Sequence, residues 1–328
     1  MKPFFGKAFF AVAIISAVIP AWTQSCQSGD EIPAAVRTAI EDLAHRTFEQ
    51  ASFGDFEAIR ANLSPAVKAS FDSIAAAVRD NQPAFAGANR QVRISFLLDT
   101  GAAPSPDGRF YCGVFGATGA TGSSAEFDIP GLSAGKYAIV IQDLTGSKGP
   151  YAFTTIFQDA GGWKLAGFYI RPETAAGHDG LWYLARAREF KTKGQVHNAW
   201  FYYWTSWDLM APVTFMDTKL LSRITQEANA AQPNDVPIAG NAVNYSAQGK
   251  TYKITDISAW RLPAGLDLSV RYSVASTADF AATQADARAL ADALVAQYPE
   301  YKDAFNTVWV HAIDPNGGDV PGMVKLKP

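Results

Sequence analysis

The chain has 328 residues, of which 48% are hydrophobic and 18% are charged, a composition typical of globular rather than disordered proteins. Lys and Arg number 28 and Asp and Glu number 31, which gives a formal net charge of −3. A nucleic-acid partner would require a basic patch, and no block rich in Lys or Arg occurs, so we expect no binding of nucleic acid. The length is sufficient for about two or three domains.

The first 25 residues have the order of a bacterial secretory signal. Lys2 and Lys7 form a basic start, residues 9–19 are apolar and uncharged, and Pro20 is followed by small and polar residues. The apolar stretch is shorter than the roughly 20 residues that a membrane-spanning helix needs. We therefore predict a signal peptide at residues 1–25 and an exported protein, located in the periplasm, in the outer envelope or outside the cell.

The two cysteines, Cys26 and Cys112, leave three alternatives open. They can form a disulfide in an oxidising compartment. Cys26 can instead be a lipidated N-terminus, for which Ser25 fits the bacterial lipoprotein pattern and Thr23 does not; membrane contact is expected only through such an anchor. In the third alternative the cysteine is free or removed. No histidine stands near either cysteine in the sequence, so neither is predicted to be catalytic.

The N-terminal half begins with helical periodicity and continues with strands. A first helix is predicted over residues 33–50, a second after the break at Gly54 and Asp55, and a third after Ser64 and Pro65. From residue 91 the apolar residues alternate with polar ones, which predicts a half-buried strand. Further strands are predicted at residues 110–115, 137–144, 151–158 and 163–170, with a flexible connection at 116–124.

The C-terminal half returns to helices at residue 178. Helices are predicted at residues 181–190, 199–209 and 216–231, and a linker rich in proline follows. Strands are predicted at 252–260, 266–274 and 307–313, a helix at 283–297, and an unstructured tail after residue 318. The predicted fold class is α+β, with parts at residues 26–177, 178–234 and 235–328.

Residues 151–170, which end in the sequence DAGGWKLAGFYI, resemble the final hairpin of the nuclear-transport-factor-two-like superfamily, also called cystatin-like or SnoaL-like. The break at Gly54 and Asp55 resembles the one between the first two helices of that superfamily. The resemblance covers residues 33–172 and implies a cone, in which a curved antiparallel sheet packs on three helices around an apolar pocket. As an alternative, residues 127–137 resemble a turn of carboxypeptidase-regulatory-like β-sandwiches; the three upstream helices favour the cone.

Residues 179–210 resemble one tetratricopeptide unit, which is a pair of helices. The residues that carry the resemblance are 185–187, Gly194, Ala199, Tyr202 and Tyr203. A single unit cannot bury its own apolar face, because arrays of this kind are stabilised by their neighbours. We therefore expect this pair to pack on one of the flanking domains.

The sequence contains no assembled catalytic motif. A nucleophile elbow, a phosphate-binding loop, a dinucleotide fingerprint and a zincin motif are all missing, and the four histidines are dispersed, so neither a metal nor a cofactor is predicted. Candidates for acid–base chemistry are residues on, or at the ends of, strands that can face the cone: Asp99, Tyr111, Tyr137 and Asp143.

An aromatic cluster at residues 200–207 is the second candidate site. Aromatic residues on every face of a helix indicate burial on several sides or a binding surface for a partner or a glycan. The candidate binding residues are Trp182, Trp200, Tyr203, Trp204 and Trp207. The leading hypothesis is non-catalytic binding of a small apolar ligand or a protein partner. The alternatives are an acid–base enzyme that uses the cone pocket and a scaffold that uses the aromatic helix.

Overall fold

The computed structural model describes residues 24–105, 107–113, 124–146, 148–238 and 240–327. Nearly all of the predicted signal peptide and most of the predicted connection at 116–124 lie outside the described residues. The described part is a mixed α+β structure, which confirms the predicted fold class. Within it, no helix has both the length and the apolar character needed to cross a membrane.

The described residues of the N-terminal part contain four α-helices, two 3-10 helices and seven strands. The helices are α1 (Ala34–Phe53), α2 (Phe56–Asn62), α3 (Phe71–Asp80) and α4 (Gln82–Phe85), and the 3-10 helices are Gly29–Glu31 and Pro65–Ser70. The strands are β1 (Ser25–Ser28), β2 (Asn89–Asp99), β3 (Arg109–Cys112), β4 (Ala125–Asp128), β5 (Lys136–Gly146), β6 (Gly149–Asp159) and β7 (Trp163–Pro172).

The predicted break between the first two helices is confirmed at Gly54. This glycine ends α1 with a φ of +66°, a left-handed conformation that favours glycine. The Asp55 carboxylate then accepts a hydrogen bond of 3.0 Å from the Ala58 amide and begins α2. The segment predicted as the third helix forms two elements, the 3-10 helix Pro65–Ser70 and then α3, which begins at Phe71.

Five antiparallel strands form the N-terminal sheet, in the order β1-β2-β5-β6-β7. The four helices cover one face, and the small sheet that contains β3 and β4 covers part of the other. Residues 95–98 of β2 are consequently all buried. The predicted alternation of buried and exposed residues is wrong for this stretch, because both of its faces are covered.

Phenyl rings fill the space between the helices and the sheet. The ring centroid of Phe153 lies 5.3 Å from that of Phe85 and 5.8 Å from that of Phe168, and Phe48 lies 6.2 Å from Phe85. Phe85 and Phe153 are completely buried. The side of the sheet on which the resemblance places an apolar pocket is therefore packed with aromatic side chains.

The C-terminal part, as far as its residues are described, contains five helices and eight strands. The helices are α5 (Gly180–Thr192), α6 (Val196–Met210), α7 (Lys219–Asn229), α8 (Phe280–Gln297) and α9 (Tyr301–Ala304). The strands are β8 (Thr174–Ala175), β9 (His178–Asp179), β10 (Met216–Asp217), β11 (Val243–Ala247), β12 (Lys250–Leu262), β13 (Gly265–Ser273), β14 (Thr307–Ile313) and β15 (Asp319–Lys325).

The helix predicted at 216–231 begins only at Lys219. Thr218 caps α7 by accepting a hydrogen bond of 3.2 Å from the Leu221 amide. Met216 and Asp217 instead form β10, which pairs with β4 of the N-terminal part.

The second large sheet has the order β11-β12-β13-β14-β15. Its pairs are antiparallel except β13 and β14, which are parallel and are connected through α8 and α9. The predicted unstructured tail after residue 318 is wrong, because β15 pairs with β14 along its whole length. Pro321 lies on this edge strand, where a residue that lacks an amide hydrogen is tolerated.

Helices α5 and α6 share one hydrophobic core with the C-terminal sheet. The Tyr202 hydroxyl donates a hydrogen bond of 2.8 Å to the Ala304 carbonyl, and the rings of Phe201 and Phe305 lie 5.7 Å apart. The helical pair thus packs on the part of the chain that follows it. The tryptophans on the opposite stripe of α6 are only partly buried where they pack against the margin of the same core.

Candidate functional site

A disulfide joins Cys26 of β1 to Cys112 of β3, with their Cα atoms 5.0 Å apart. It links the N-terminal edge of the large sheet to the small sheet on its face. Of the alternatives that the sequence left open, the structure therefore contains the disulfide. A sulfur atom in a disulfide is not available to carry a lipid.

The four acid–base candidates do not converge on one site. Asp99 and Tyr137 occupy neighbouring ladder positions of β2 and β5 but lie on opposite faces of the sheet, because Tyr137 pairs with Leu98. Asp143 forms an ion pair with Arg93, and the Asp99 carboxylate accepts a hydrogen bond of 2.8 Å from the Gly101 amide in a turn. Tyr137 is buried on the face opposite the helices and donates to the Ser133 carbonyl. Because Tyr137 and Asp143 are six residues apart on one strand, about 20 Å separates their positions.

The fourth acid–base candidate, Tyr111, is exposed on the surface of β3. It lines a cavity between β4 and the start of α7, away from the helix-covered side of the large sheet. The structure therefore does not assemble the four residues around one reacting centre.

The five aromatic candidates fall into two groups. Tyr203 is buried in the core, and Trp182 stacks on His178 at the surface with their ring centroids 3.8 Å apart. Trp200, Trp204 and Trp207 are half-buried and line one groove. Their spacing of four and three residues places them on one stripe of α6, since residues at these spacings are neighbours on a helix surface. This spacing in the sequence distinguishes the three tryptophans, which line the groove, from Tyr203, which lies in the core.

We call the space in front of these three residues the tryptophan groove. Its volume is about 450 Å³, and its walls are α6, the chain from Asn229 to Ile238, and residues 256–261 of β12. Ile257 and Ala259 continue the apolar lining, and the side chains of Asn229 and Gln232 stand at the rim. An apolar concavity with a few polar groups at its rim is the usual form of a ligand site.

The tryptophan rings stand edge to face. The centroids of Trp200 and Trp204 are 6.5 Å apart with an angle of 81° between the rings, and those of Trp204 and Trp207 are 6.3 Å apart at 68°. Such steeply inclined rings do not form one flat platform. They form the walls of separate recesses along about 10 Å of the helix.

Ion pairs close one end of the tryptophan groove. The Asp208 carboxylate lies 2.5 Å from an Arg171 nitrogen and 2.6 Å from an Arg261 nitrogen. The Arg171 guanidinium also lies 6.0 Å from the centre of the Trp207 ring, within the range of a cation–π contact. The two guanidinium groups compensate the charge of Asp208.

Asp256 carries the charge at the other end of the tryptophan groove. Its carboxylate accepts a hydrogen bond of 3.2 Å from the Ser258 hydroxyl. Among the described residues it forms no ion pair, and its side chain is exposed. Asp256 alternates with Ile257 and Ala259, which pack against the core, so its carboxylate lies on the face of β12 away from α6. Its register partner on β13 is Arg271.

The β12 wall of the groove is an open strand edge. β12 has 13 residues, but β11 pairs only with those from Lys250 to Ile254. Residues 255–262 have β13 on one side and, in the described part of the chain, no strand on the other. In an antiparallel ladder alternate residues turn their amide and carbonyl groups away from the neighbouring strand. These groups face outward at the groove.

Two further cavities, of about 490 and 400 Å³, lie between β4 and the start of α7. Both border Ser124, and the ten residues before it, 114–123, lie outside the described part. For this reason the tryptophan groove, whose lining is described, is the better defined site. No group of three or more potential metal ligands occurs among the described residues.

A second polar cluster lies at the start of α6. His197 Nε2 lies 2.8 Å from one oxygen of Asp235, and the Tyr298 hydroxyl donates to the other. Burial acts to raise the pKa of Asp235, but the hydrogen bonds from Tyr298 and His197 outweigh it and hold this pKa below its ordinary value. The cluster ties α6 to the linker and to the segment before α9.

No family model, no curated protein and no solved structure matches the chain. The resemblances to the nuclear-transport-factor-two-like superfamily and to a tetratricopeptide unit therefore remain predictions from the sequence. The tryptophan groove is identified only by the geometry of the residues that line it.

Proposed function

We propose that this protein is an exported, non-catalytic binding protein of the bacterial envelope and that its ligand occupies the tryptophan groove. The observation that carries this proposal is the convergence of Trp200, Trp204 and Trp207 on a groove of about 450 Å³. Half-buried tryptophans in a concave site supply a large contact area at little cost in side-chain entropy.

Export is supported by two independent features. The first 25 residues have the composition of a secretory signal, and the only two cysteines form a disulfide. Disulfides persist in oxidising compartments and are rare in the cytosol.

Binding has more support than acid–base catalysis. The acid–base candidates do not converge on one reacting centre, and the helix-covered side of the sheet is filled by rings such as Phe85 and Phe153. In the tryptophan groove, the Asp208 carboxylate is held by Arg171 and Arg261. A general base must instead reach the proton that it abstracts.

The test is a binding screen on the full mature chain against an array of soluble oligosaccharides and an array of linear peptides, followed by titration of each hit. We expect Trp204→Ala to weaken binding by about tenfold or more, as for the removal of a buried aromatic anchor. The matched control is Trp182→Ala, which removes a tryptophan outside the groove. Equal affinities of the two variants for every ligand would refute the proposal.

A further inference from the structure

The proposed function leaves the class of ligand open, and the following inference rests on that function. We infer that the tryptophan groove binds an extended peptide. The peptide adds as a strand to residues 255–262 of β12. The juxtaposition that supports this inference is an open strand edge beside a row of inclined tryptophan rings. Addition of a peptide strand to a sheet edge is a recurring mode of recognition.

The open edge is long enough for a strand. Residues 255–262 span about 26 Å, at roughly 3.3 Å per residue, which exceeds the length of an average strand. Residues 257–260 are half-buried. A peptide strand added here would pair with their outward amide and carbonyl groups, as added strands do at other open sheet edges.

The chain's own neighbouring segment does not fill this position. β11 pairs with β12 only up to Val243 and Ile254, and an added strand would continue the line of β11. Before Val243 the chain turns on itself through a bridge between Ile238 and Asn241. Pro237, which has no amide hydrogen to donate, lines the far wall of the groove instead.

The ring geometry favours a peptide over an oligosaccharide. Alternate side chains of a bound strand would point towards α6, because side chains alternate between the two faces of a sheet. The rings at 81° and 68° to one another form recesses for individual side chains. Successive sugar rings would stack better on tryptophan faces that are aligned along the chain.

The charges of the groove select among peptides. Arg261 is engaged by Asp208, whereas Asp256, nearest to β11, has no ion-pair partner among the described residues. On the outer face of the sheet, a basic side chain of the peptide would be the cross-strand neighbour of Asp256, on the side opposite Arg271. We therefore expect bound peptides to carry apolar residues at alternate positions and a basic residue at the end next to β11.

The experiment selects binders from a displayed library of random linear peptides on the full mature chain. The strongest binder is then synthesised with N-methyl groups on alternate backbone amides, in each of the two registers. Since only one register turns its amides towards β12, we expect one analogue to bind about tenfold or more weakly and the other to bind nearly as the parent. Asp256→Asn should reduce the affinity for peptides with the basic residue.

Two results would overturn the inference. In one, both analogues bind with the affinity of the parent peptide. In the other, no peptide is enriched, while oligosaccharides from the array bind and lose their affinity in Trp204→Ala. The second result leaves the proposed function intact and changes only the ligand class. If ligands of either class bind Trp204→Ala as well as the unaltered chain, the proposed function itself fails.

Discussion

Arg171 of β7 and Asp208 of α6 form an ion pair of 2.5 Å that joins the N-terminal sheet to the helix that carries the tryptophan groove. The same carboxylate pairs with Arg261 of β12. A single side chain on α6 thus connects strands of both large sheets, and the Arg171 side chain is only 17% exposed. Because the Asp208 side chain is itself 40% exposed, solvent screens the pair only somewhat less than an ordinary surface ion pair.

Asp208→Asn tests this connection. The substitution leaves two guanidinium groups without their carboxylate, and we expect the free energy of unfolding to fall by about 1 kcal/mol or somewhat more. The matched control is Asp286→Asn, which breaks the exposed pair with Lys250 and should cost less. The measurement is urea denaturation of both variants at low salt. Equal losses would show that Asp208 contributes no more than a surface pair.

The disulfide predicts a response to reductant. In the chain-entropy description, a crosslink between residues 86 positions apart stabilises the protein by about 4.6 kcal/mol. Reductant should therefore lower the melting temperature of the unaltered chain. The double variant Cys26→Ala, Cys112→Ala should melt at the lower temperature and be insensitive to reductant. An unaltered chain whose melting does not change after verified reduction would contradict this prediction.

The aromatic side chains between the helices and the N-terminal sheet are closely packed. Removing one of them should therefore leave a cavity and lower the free energy of unfolding by a large amount. Phe153 is completely buried among three other phenyl rings, so Phe153→Ala should lower the free energy of unfolding by about 3 to 5 kcal/mol. Tyr111→Ala, at an exposed position, should change it by about 0.5 kcal/mol or less. Chemical denaturation measures both. A small effect of Phe153→Ala would indicate space on this side of the sheet.

The cluster of His197, Asp235 and Tyr298 predicts a pH dependence. Because the pKa of Asp235 is lowered from 3.8 in the folded protein, its ionised form stabilises the fold. This contribution is complete above pH about 4 and is lost as the pH falls through the lowered pKa. Asp235→Asn should therefore be less stable than the unaltered chain at pH about 6, and the difference should shrink in acid. Denaturation curves at several pH values measure it, and a difference that is constant down to acid pH would contradict the assignment.

Local signals predicted many of the elements. The strand predicted at residues 307–313 is confirmed with the same bounds, and the hairpin predicted at 151–170 corresponds to β6 and β7. The break at Gly54 was also predictable, because a left-handed glycine and a following aspartate cap are determined by adjacent residues. These features depend on patterns within one element.

The features that were missed depend on contacts between distant elements. β15 was not predicted because Pro321 and Gly322 lower its intrinsic strand propensity, and its pairing with β14 compensates for this. Gly322 is required there, since a Cβ atom at this position would collide with the backbone of α8 at Arg288. The open edge of β12 likewise depends on where β11 stops, which no pattern within β12 reveals.

The pairing of β15 with β14 also protects the protein from self-association. The residues from Thr307 to Ile313 include valine, tryptophan and isoleucine, which favour strands, and β15 covers their outer edge. A chain cut by a protease at residue 318 would expose this edge over seven residues. An uncovered apolar edge of that length is a template for aggregation. β15 therefore covers the edge of β14, and because β15 contains Pro321 and Gly322 it pairs poorly with a strand from another chain.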